Sequence, residues 1–291
     1  MSTPIEVARD VDTLRARVHA WRRDGLRIGF VPTMGNLHEG HYSLVRQARA
    51  NADRVVASIF VNPTQFGPGE DYDSYPRTPE ADIAGLEGAG CDLAWMPSED
   101  VMYPLGTGRA VRVQVPGITD VLDGAHRPGH FDGVCTVVAR LFNQVRPDLA
   151  VFGRKDYQQL AVIRHMVLDL AFPVELLGAD IVREPDGLAR SSRNQYLSAQ
   201  ERTRAPEIHR TLLAMRDALQ DGQAWGDAEA DATARLQAAG FAVDYAVVRT
   251  PLLARPPAAA APDGDDMRVA LVAARLGRTR LIDNLEFPSV G

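Results

Sequence analysis

A single lysine, Lys155, stands among the 32 lysine and arginine residues of this sequence. Elsewhere arginine supplies the cation, so Lys155 is a candidate for a place that needs a compact ammonium and not a planar fork. A coding bias against lysine explains the same count, and the count alone does not separate the two readings. Cysteine is nearly as scarce. Cys91 and Cys135 lie far apart, with no Cys-x-x-Cys spacing and no histidine cluster nearby, which argues against a disulfide framework or a zinc site. Both are expected to be small buried hydrophobes. No run approaches the roughly 18 consecutive apolar residues of a membrane helix. Residues 1–17 lack a basic stretch followed by an apolar one, so no secretion signal is expected and a cytoplasmic protein is. The net charge of −6 opposes a nucleic-acid partner, because duplex binders present a basic face to phosphates. Neither G-x-G-x-x-G nor G-x-x-x-x-G-K-[ST] occurs, which disfavours dinucleotide and P-loop sites. No internal repeat is present.

At 291 residues the chain exceeds the usual single-domain size, so a larger and a smaller domain are expected. Residues 26–31 form a short apolar β-rich run, a Pro/Gly break follows, and residues 40–52 carry apolar side chains at helical spacing. The near-continuous aliphatics of 54–61 suit a strand covered on both faces. The alternation continues with a helix at 79–87, a strand at 92–96, a helix at 133–145, a strand at 149–152, a helix at 156–170 and a strand at 174–177. This predicts an α/β fold, a Rossmann-like doubly wound parallel sheet, over residues 1–183. From 184 to 291 the pattern changes to helices at 199–219 and 227–239 and strands at 243–248, 267–273 and 279–282, a smaller α+β domain expected to close over the nucleotide site. Residues 254–266 read as an exposed Ala/Pro-rich loop. Residues 62–78 are long for a strand-to-helix connection, as lids and binding loops are.

The chemistry concentrates at Met34, Gly35, Asn36, Leu37, His38, Glu39, Gly40 and His41, in the turn from the first predicted strand into its helix. A helix start offers free N–H groups and a partial positive charge to phosphate, and bare glycines let polyphosphate approach the backbone. Two imidazoles there can donate to triphosphate oxygens. An isolated H-x-x-H is more often a pair of surface histidines, and the strand–loop–helix order shifts the balance. Gly153, Arg154, Lys155 and Asp156 follow another predicted strand and so reach the same sheet edge. Ser191, Ser192 and Arg193 offer two hydroxyls and a guanidinium, although S-S-R alone is an ordinary turn.

Six separated segments, PTMGNLHEGH (32–41), SIFVNPTQF (58–66), YPRT (75–78), RPGHF (127–131), FGRKDYQQL (152–160) and DGLARSSRNQYL (186–197), together resemble the H-x-G-H nucleotidylyltransferase superfamily and, within it, the pantothenate synthetase family. The resemblance implies that pantoate attacks the α-phosphate of Mg·ATP, releasing pyrophosphate, and that β-alanine then attacks the pantoyl-adenylate, releasing AMP. It makes His38, His41 and Lys155 catalytic, places ATP on 34–41, 153–156, Val182 and Arg190 to Arg193, and assigns Gln65 and Gln159 to pantoate with Gln65 also near β-alanine. Mg²⁺ travels with ATP, no residue is singled out as its ligand and whether the protein supplies one stays open, and a homodimer is implied. For Tyr75, Arg127 and His130 organisation of the lid, the β-alanine site or the dimer contact all stay open. The chain departs from the family at Arg154, usually acidic, and Arg190, usually hydrophobic, which adds two positive charges beside the expected phosphate site. Two other readings remain: another small-molecule adenylyltransferase of the superfamily, and a catalytically silent nucleotide-sensing protein.

Overall fold

The computed structural model describes residues 5–256 and 267–288; most of the expected Ala/Pro-rich loop, residues 257–266, lies outside the described residues. The chain runs β1 (Glu6–Ala8), α1 (Val11–Arg23), β2 (Ile28–Thr33), α2 (Glu39–Asn51), β3 (Arg54–Ile59), α3 (Pro79–Gly88), β4 (Leu93–Trp95), α4 (Glu99–Met102), α5 (Asp123–His126), α6 (His130–Val145), β5 (Leu149–Gly153), α7 (Tyr157–Asp169) and β6 (Glu175–Ala179). It continues through α8 (Ala199–Arg204), α9 (Glu207–Gln220), α10 (Trp225–Ala238), β7 (Ala242–Arg249), β8 (Met267–Leu276) and β9 (Thr279–Pro288). It divides into two units, Met1–Arg154 with Val162–Asp180, and Lys155–Ala161 with Ile181–Gly291.

In the first unit β1 to β6 form one parallel sheet in the order β1-β4-β3-β2-β5-β6. Alternate residues of each strand face opposite ways. Val31, Val55, Ala57, Ala94, Leu149 and Val151 therefore share one face, buried with Leu44, Val45 and Ala48 of α2 and Leu86 of α3. Their neighbours Phe30 and Phe152 face the other way and meet Phe142 of α6 edge to face, with ring centroids 6.3 and 6.4 Å apart. Burial on both faces is what the unbroken aliphatic runs of β2 and β3 require. The strand order reverses at β2, which has β3 on one side and β5 on the other. The carboxyl ends of β2 and β5 thus flank a switch point, where open α/β sheets take their ligands.

The elements β1 and α1 have no counterpart in the sequence reading. Helix α1 buries only Leu14, Val18 and Trp21, a narrow i, i+4, i+7 stripe in a charged segment. Cys91 and Cys135 are buried and reduced, and burial pushes both thiols up to about 12, so they act as apolar packing groups.

The second unit holds an antiparallel sheet, β7-β8-β9. Ile208, Leu212 and Met215 of α9 with Ala232 and Leu236 of α10 bury its inner residues Ala246, Val248, Ala270, Val272, Ala274, Leu281 and Phe287. The single helix expected over 199–219 is two helices, because Pro206 has no N–H to carry the ladder through. Strand β9 continues to Pro288, well past 282, since its polar residues Asp283 and Asn284 are buried with partners. No helix of the described residues is long and apolar enough to cross a membrane.

Candidate active site

The turn after β2 is held from within. Gly35 and Asn36 both have positive φ, 83° and 51°. The N–H groups of Asn36 and Leu37 donate to Asp82 Oδ2 and Oδ1 at 2.9 and 2.7 Å, and Gly35 donates to Thr33 Oγ1 at 3.3 Å. His38 is the N-cap of α2. Its Nδ1 accepts from Gly40 N at 3.1 Å, while His38 N donates to His41 Nδ1 at 3.3 Å, a capping box built from two imidazoles. The rings lie 4.2 Å apart. With both Nδ1 atoms accepting, the proton of each neutral ring resides on Nε2, making Nε2 the donor. The expectation of free backbone N–H groups here is corrected for most of the turn: the amides of residues 35–38, 40 and 41 are engaged internally. Glu39 pairs with Arg46.

The long 62–78 connection is fastened to α6 and the turn before it. Asn62, 1% exposed, donates from Nδ2 to Gln65 Oε1 and Gly133 O at 3.0 and 3.2 Å and accepts from Tyr103 Oη at 2.6 Å. With Oε1 so engaged, Gln65 Nε2 points to Met34 Sδ at 3.1 Å; Met34 and Gln65, separate in sequence, come together. Arg127 grips Glu70 through two hydrogen bonds of 2.8 and 2.6 Å. Burial alone would push the Glu70 carboxyl up, but Arg127 outweighs it and holds that carboxyl below the ordinary glutamate range. Arg127 Nη1 also lies 3.0 Å from His130 Nε2. Arginine can only donate, so the His130 proton is on Nδ1, which donates to Gln65 O at 2.8 Å. Burial, reinforced by the Arg127 charge, lowers the His130 pKa to about 4. Arg127, His130 and the buried Tyr75, which meets Phe66 edge to face at 6.0 Å, therefore organise this connection.

Arg154 ends the first stretch of the first unit, just beyond β5, its guanidinium 3.6 Å from the exposed Asp180 carboxylate. In the second unit Lys155 Nζ is 3.5 Å from Asp156 Oδ1. The Lys155 carbonyl accepts from Asn284 Nδ2 at 2.9 Å, and Tyr157 donates to Glu286 Oε1 at 2.9 Å, so the Lys155 segment is anchored on β9. Gln159 lies half-buried on α7. Arg183 binds the buried Asp283 carboxylate with both Nη atoms, at 2.6 and 3.0 Å, and shapes the turn through Gly187. Val182 O accepts from Arg190 N at 2.9 Å. Arg190 Nη2 meets Glu184 Oε2 at 3.2 Å, and Ser191 caps the short 3-10 turn Ser192–Tyr196 by accepting from Arg193 N. The two charges that depart from the family pattern thus each face a carboxylate.

Sequence reasoning missed Asp82, Asn62 and Glu70. An aspartate three residues after Pro79 in a helix's first turn reads as a surface acid complementing the dipole, and only the fold reveals what it holds.

The family model for pantoate-beta-alanine ligase matches residues 6–286. Pantothenate synthetase of Stenotrophomonas maltophilia (strain K279a) is 65% identical over 97% of this chain and 100% of its own, and that of Xylella fastidiosa (strain 9a5c) is 66% identical with the same coverage. Among solved structures, pantothenate synthetase from Thermus thermophilus superposes with a TM-score of 0.88 at 49% identity, covering 97% of this chain and 99% of that one. Pantoate-beta-alanine ligase from Francisella tularensis, complexed with beta-gamma ATP and beta-alanine, gives 0.79 at 31% identity and covers 97% of each chain. With the paired histidines in place at the end of β2 and this agreement along nearly its whole length, the chain belongs to the pantoate-beta-alanine ligase family.

Proposed function

We propose that this chain condenses pantoate with β-alanine to give pantothenate, at the expense of ATP, through a pantoyl-adenylate. The observation that carries the reading is the imidazole pair of His38 and His41, whose Nδ1 atoms accept from the backbone so that each neutral ring donates from Nε2. Donors set in advance stabilise the negative charge that gathers on phosphate oxygens as the carboxylate of pantoate attacks the α-phosphorus. Lys155 adds an ammonium for the transferring group, and Ser191, Ser192 and Arg193 add hydroxyls and a fork for the remaining phosphates. Gly153, Arg154, Asp156, Val182 and Arg190 complete the proposed nucleotide contacts with residues 34–41.

Gln65 and Gln159 are neutral amides, suited to orienting a carboxylate without quenching its nucleophilicity. Gln65 is held by Asn62 and Met34 and also serves β-alanine. The amine of β-alanine attacks the acyl carbon, the C–O bond to the adenylate breaks, and AMP leaves with the carboxylate oxygen. Among the described residues no group of three or more His, Cys, Asp or Glu is placed to hold a metal, and the cation is proposed to enter with the triphosphate. Mg²⁺ brought in with ATP would offset charge on the departing pyrophosphate. A cytoplasmic homodimer completes the proposal.

The test is product release from purified protein with Mg·ATP and pantoate, with and without β-alanine. Pyrophosphate with pantoate alone, and equal AMP and pantothenate once β-alanine is added, are expected. A stable adenylylated product would favour another adenylyltransferase, and ATP binding without pyrophosphate would favour a sensing protein.

A further inference from the structure

We propose that Asp82 is a positioning residue for adenylation: its buried carboxylate fixes the turn that presents His38 and His41 and ties that turn to the end of the 62–78 connection. The proposal rests on the reading of the two histidines given above.

Asp82 is 1% exposed and lies in the first turn of α3, its own N–H bonded to Thr78 O at 2.9 Å. Each carboxylate oxygen takes one amide of the histidine turn, Oδ2 from Asn36 and Oδ1 from Leu37. Oδ1 also accepts from Thr78 Oγ1 at 3.1 Å. No cation pairs with this buried carboxylate among the described residues; its oxygens are met by two amides and a hydroxyl at a helix start. Two consecutive left-handed residues, Gly35 and Asn36, aim successive N–H groups at one point, an arrangement that elsewhere cradles phosphate. Here the occupant is a side chain of the same chain. A Cβ at Gly35 would lie 3.0 Å from Asp82 Oδ2 and 3.1 Å from Ile59 Cγ2, so the glycine is what lets the carboxylate in.

The consequence runs to the imidazoles. With the Leu37 amide fixed, His38 enters α2 in extended geometry, φ −140° and ψ 178°, and from there its ring accepts the Gly40 amide while the His41 ring accepts the His38 amide. Thr78 occupies the N-cap of α3 without capping it. Its hydroxyl goes to Asp82, so the end of the connection that begins with Asn62 and Gln65 shares one anchor with the histidines.

Asp82→Asn keeps the shape but replaces one acceptor by an NH₂ group, which leaves one of the two turn amides without a partner. In full-length protein shown to be folded by thermal unfolding, we expect kcat for pyrophosphate release with pantoate to fall 10- to 100-fold. KM for β-alanine, which enters after adenylation, should stay within threefold. Nitrogen-15 spectra of the imidazoles should show His38 and His41 as Nε2–H tautomers in the unaltered protein and as mixed tautomers in D82N. Thr78→Val, which removes one donor and leaves the carboxylate, should lower kcat 3- to 10-fold and decides the question if D82N does not fold. Activity per folded molecule within twofold, with unchanged tautomers, in whichever variant folds would overturn the proposal. If the unaltered protein releases no pyrophosphate with pantoate, the functional reading fails, and the tautomer spectra still decide the role of Asp82.

Discussion

Gly133 on α6 offers a precise perturbation, because the space its missing side chain would fill is backbone. A Cβ there would lie 2.3 Å from Thr64 O, 2.5 Å from Thr64 C and 2.6 Å from Gln65 Cα. Gly133→Ala must therefore push the Pro63–Gln65 turn off the helix by roughly 0.7 Å or more before the closest contact reaches even 3.0 Å. That movement strains the bonds from Asn62 Nδ2 to Gly133 O and from His130 Nδ1 to Gln65 O. Overpacking of this kind costs about 1–3 kcal/mol, which corresponds to a fall in Tm of roughly 2–10 °C for a chain of this size. The effect on turnover should be larger, since a misplacement near 1 Å in a substrate-positioning group costs about 100-fold. Initial rates of AMP formation at varied pantoate, beside a thermal melt, give both numbers. We expect kcat/KM for pantoate to fall about 10- to 100-fold, while KM for ATP moves little. A G133A protein with unchanged melting and unchanged pantoate kinetics would refute both the packing argument and the place given to Gln65.

His41→Ala should cost about 1 kcal/mol of stability through the lost cap and about 100- to 1,000-fold in kcat; a destabilised protein with full activity per folded molecule would contradict this. Because Lys155 is the only lysine, an amine-reactive reagent should label only that side chain and the amino terminus. Mg·ATP should protect Lys155 from it, as read by peptide mass spectrometry, and labelling unaffected by saturating Mg·ATP would count against its phosphate role. His130 makes stability pH-dependent. Above pH 6.5 its ring is neutral folded and unfolded; as pH falls from 6.5 to about 4, only the unfolded ring takes a proton, so stability declines, and below 4 the decline ends. The loss is at most on the order of 3 kcal/mol, and urea unfolding at pH 7 and 4.5 should show a smaller loss in His130→Gln. An identical pH dependence in that variant would remove His130 as its source.

The parallel sheet was legible where burial on two faces wrote itself into the sequence, as in the aliphatic runs of β2 and β3 before their Gly- and Pro-rich turns. Helix α1 was not, because three buried residues in thirteen leave a stripe that charge obscures. The full length of β9 was hidden for the opposite reason: Asp283 and Asn284 look like a strand's end until Arg183 and the Lys155 carbonyl appear beside them. His38 and His41 stood out through their spacing at a strand-to-helix turn. What holds them did not, since Asp82 is 41 residues from His41 and indistinguishable in sequence from a solvated helix-start acid. Arg127 and Glu70 are likewise joined by the fold, 57 residues apart.

Adenylation requires that the carboxylate of pantoate be joined to the α-phosphorus before the amide forms. Pantoate carrying ¹⁸O in its carboxylate, incubated with Mg·ATP, β-alanine and the purified protein, tests this directly by the mass of the nucleotide produced. One ¹⁸O transferred to each AMP is the predicted result, because the C–O bond breaks when the amine attacks and the oxygen stays on phosphorus. Unlabelled AMP accompanying pantothenate, or ADP in place of AMP, would contradict the account.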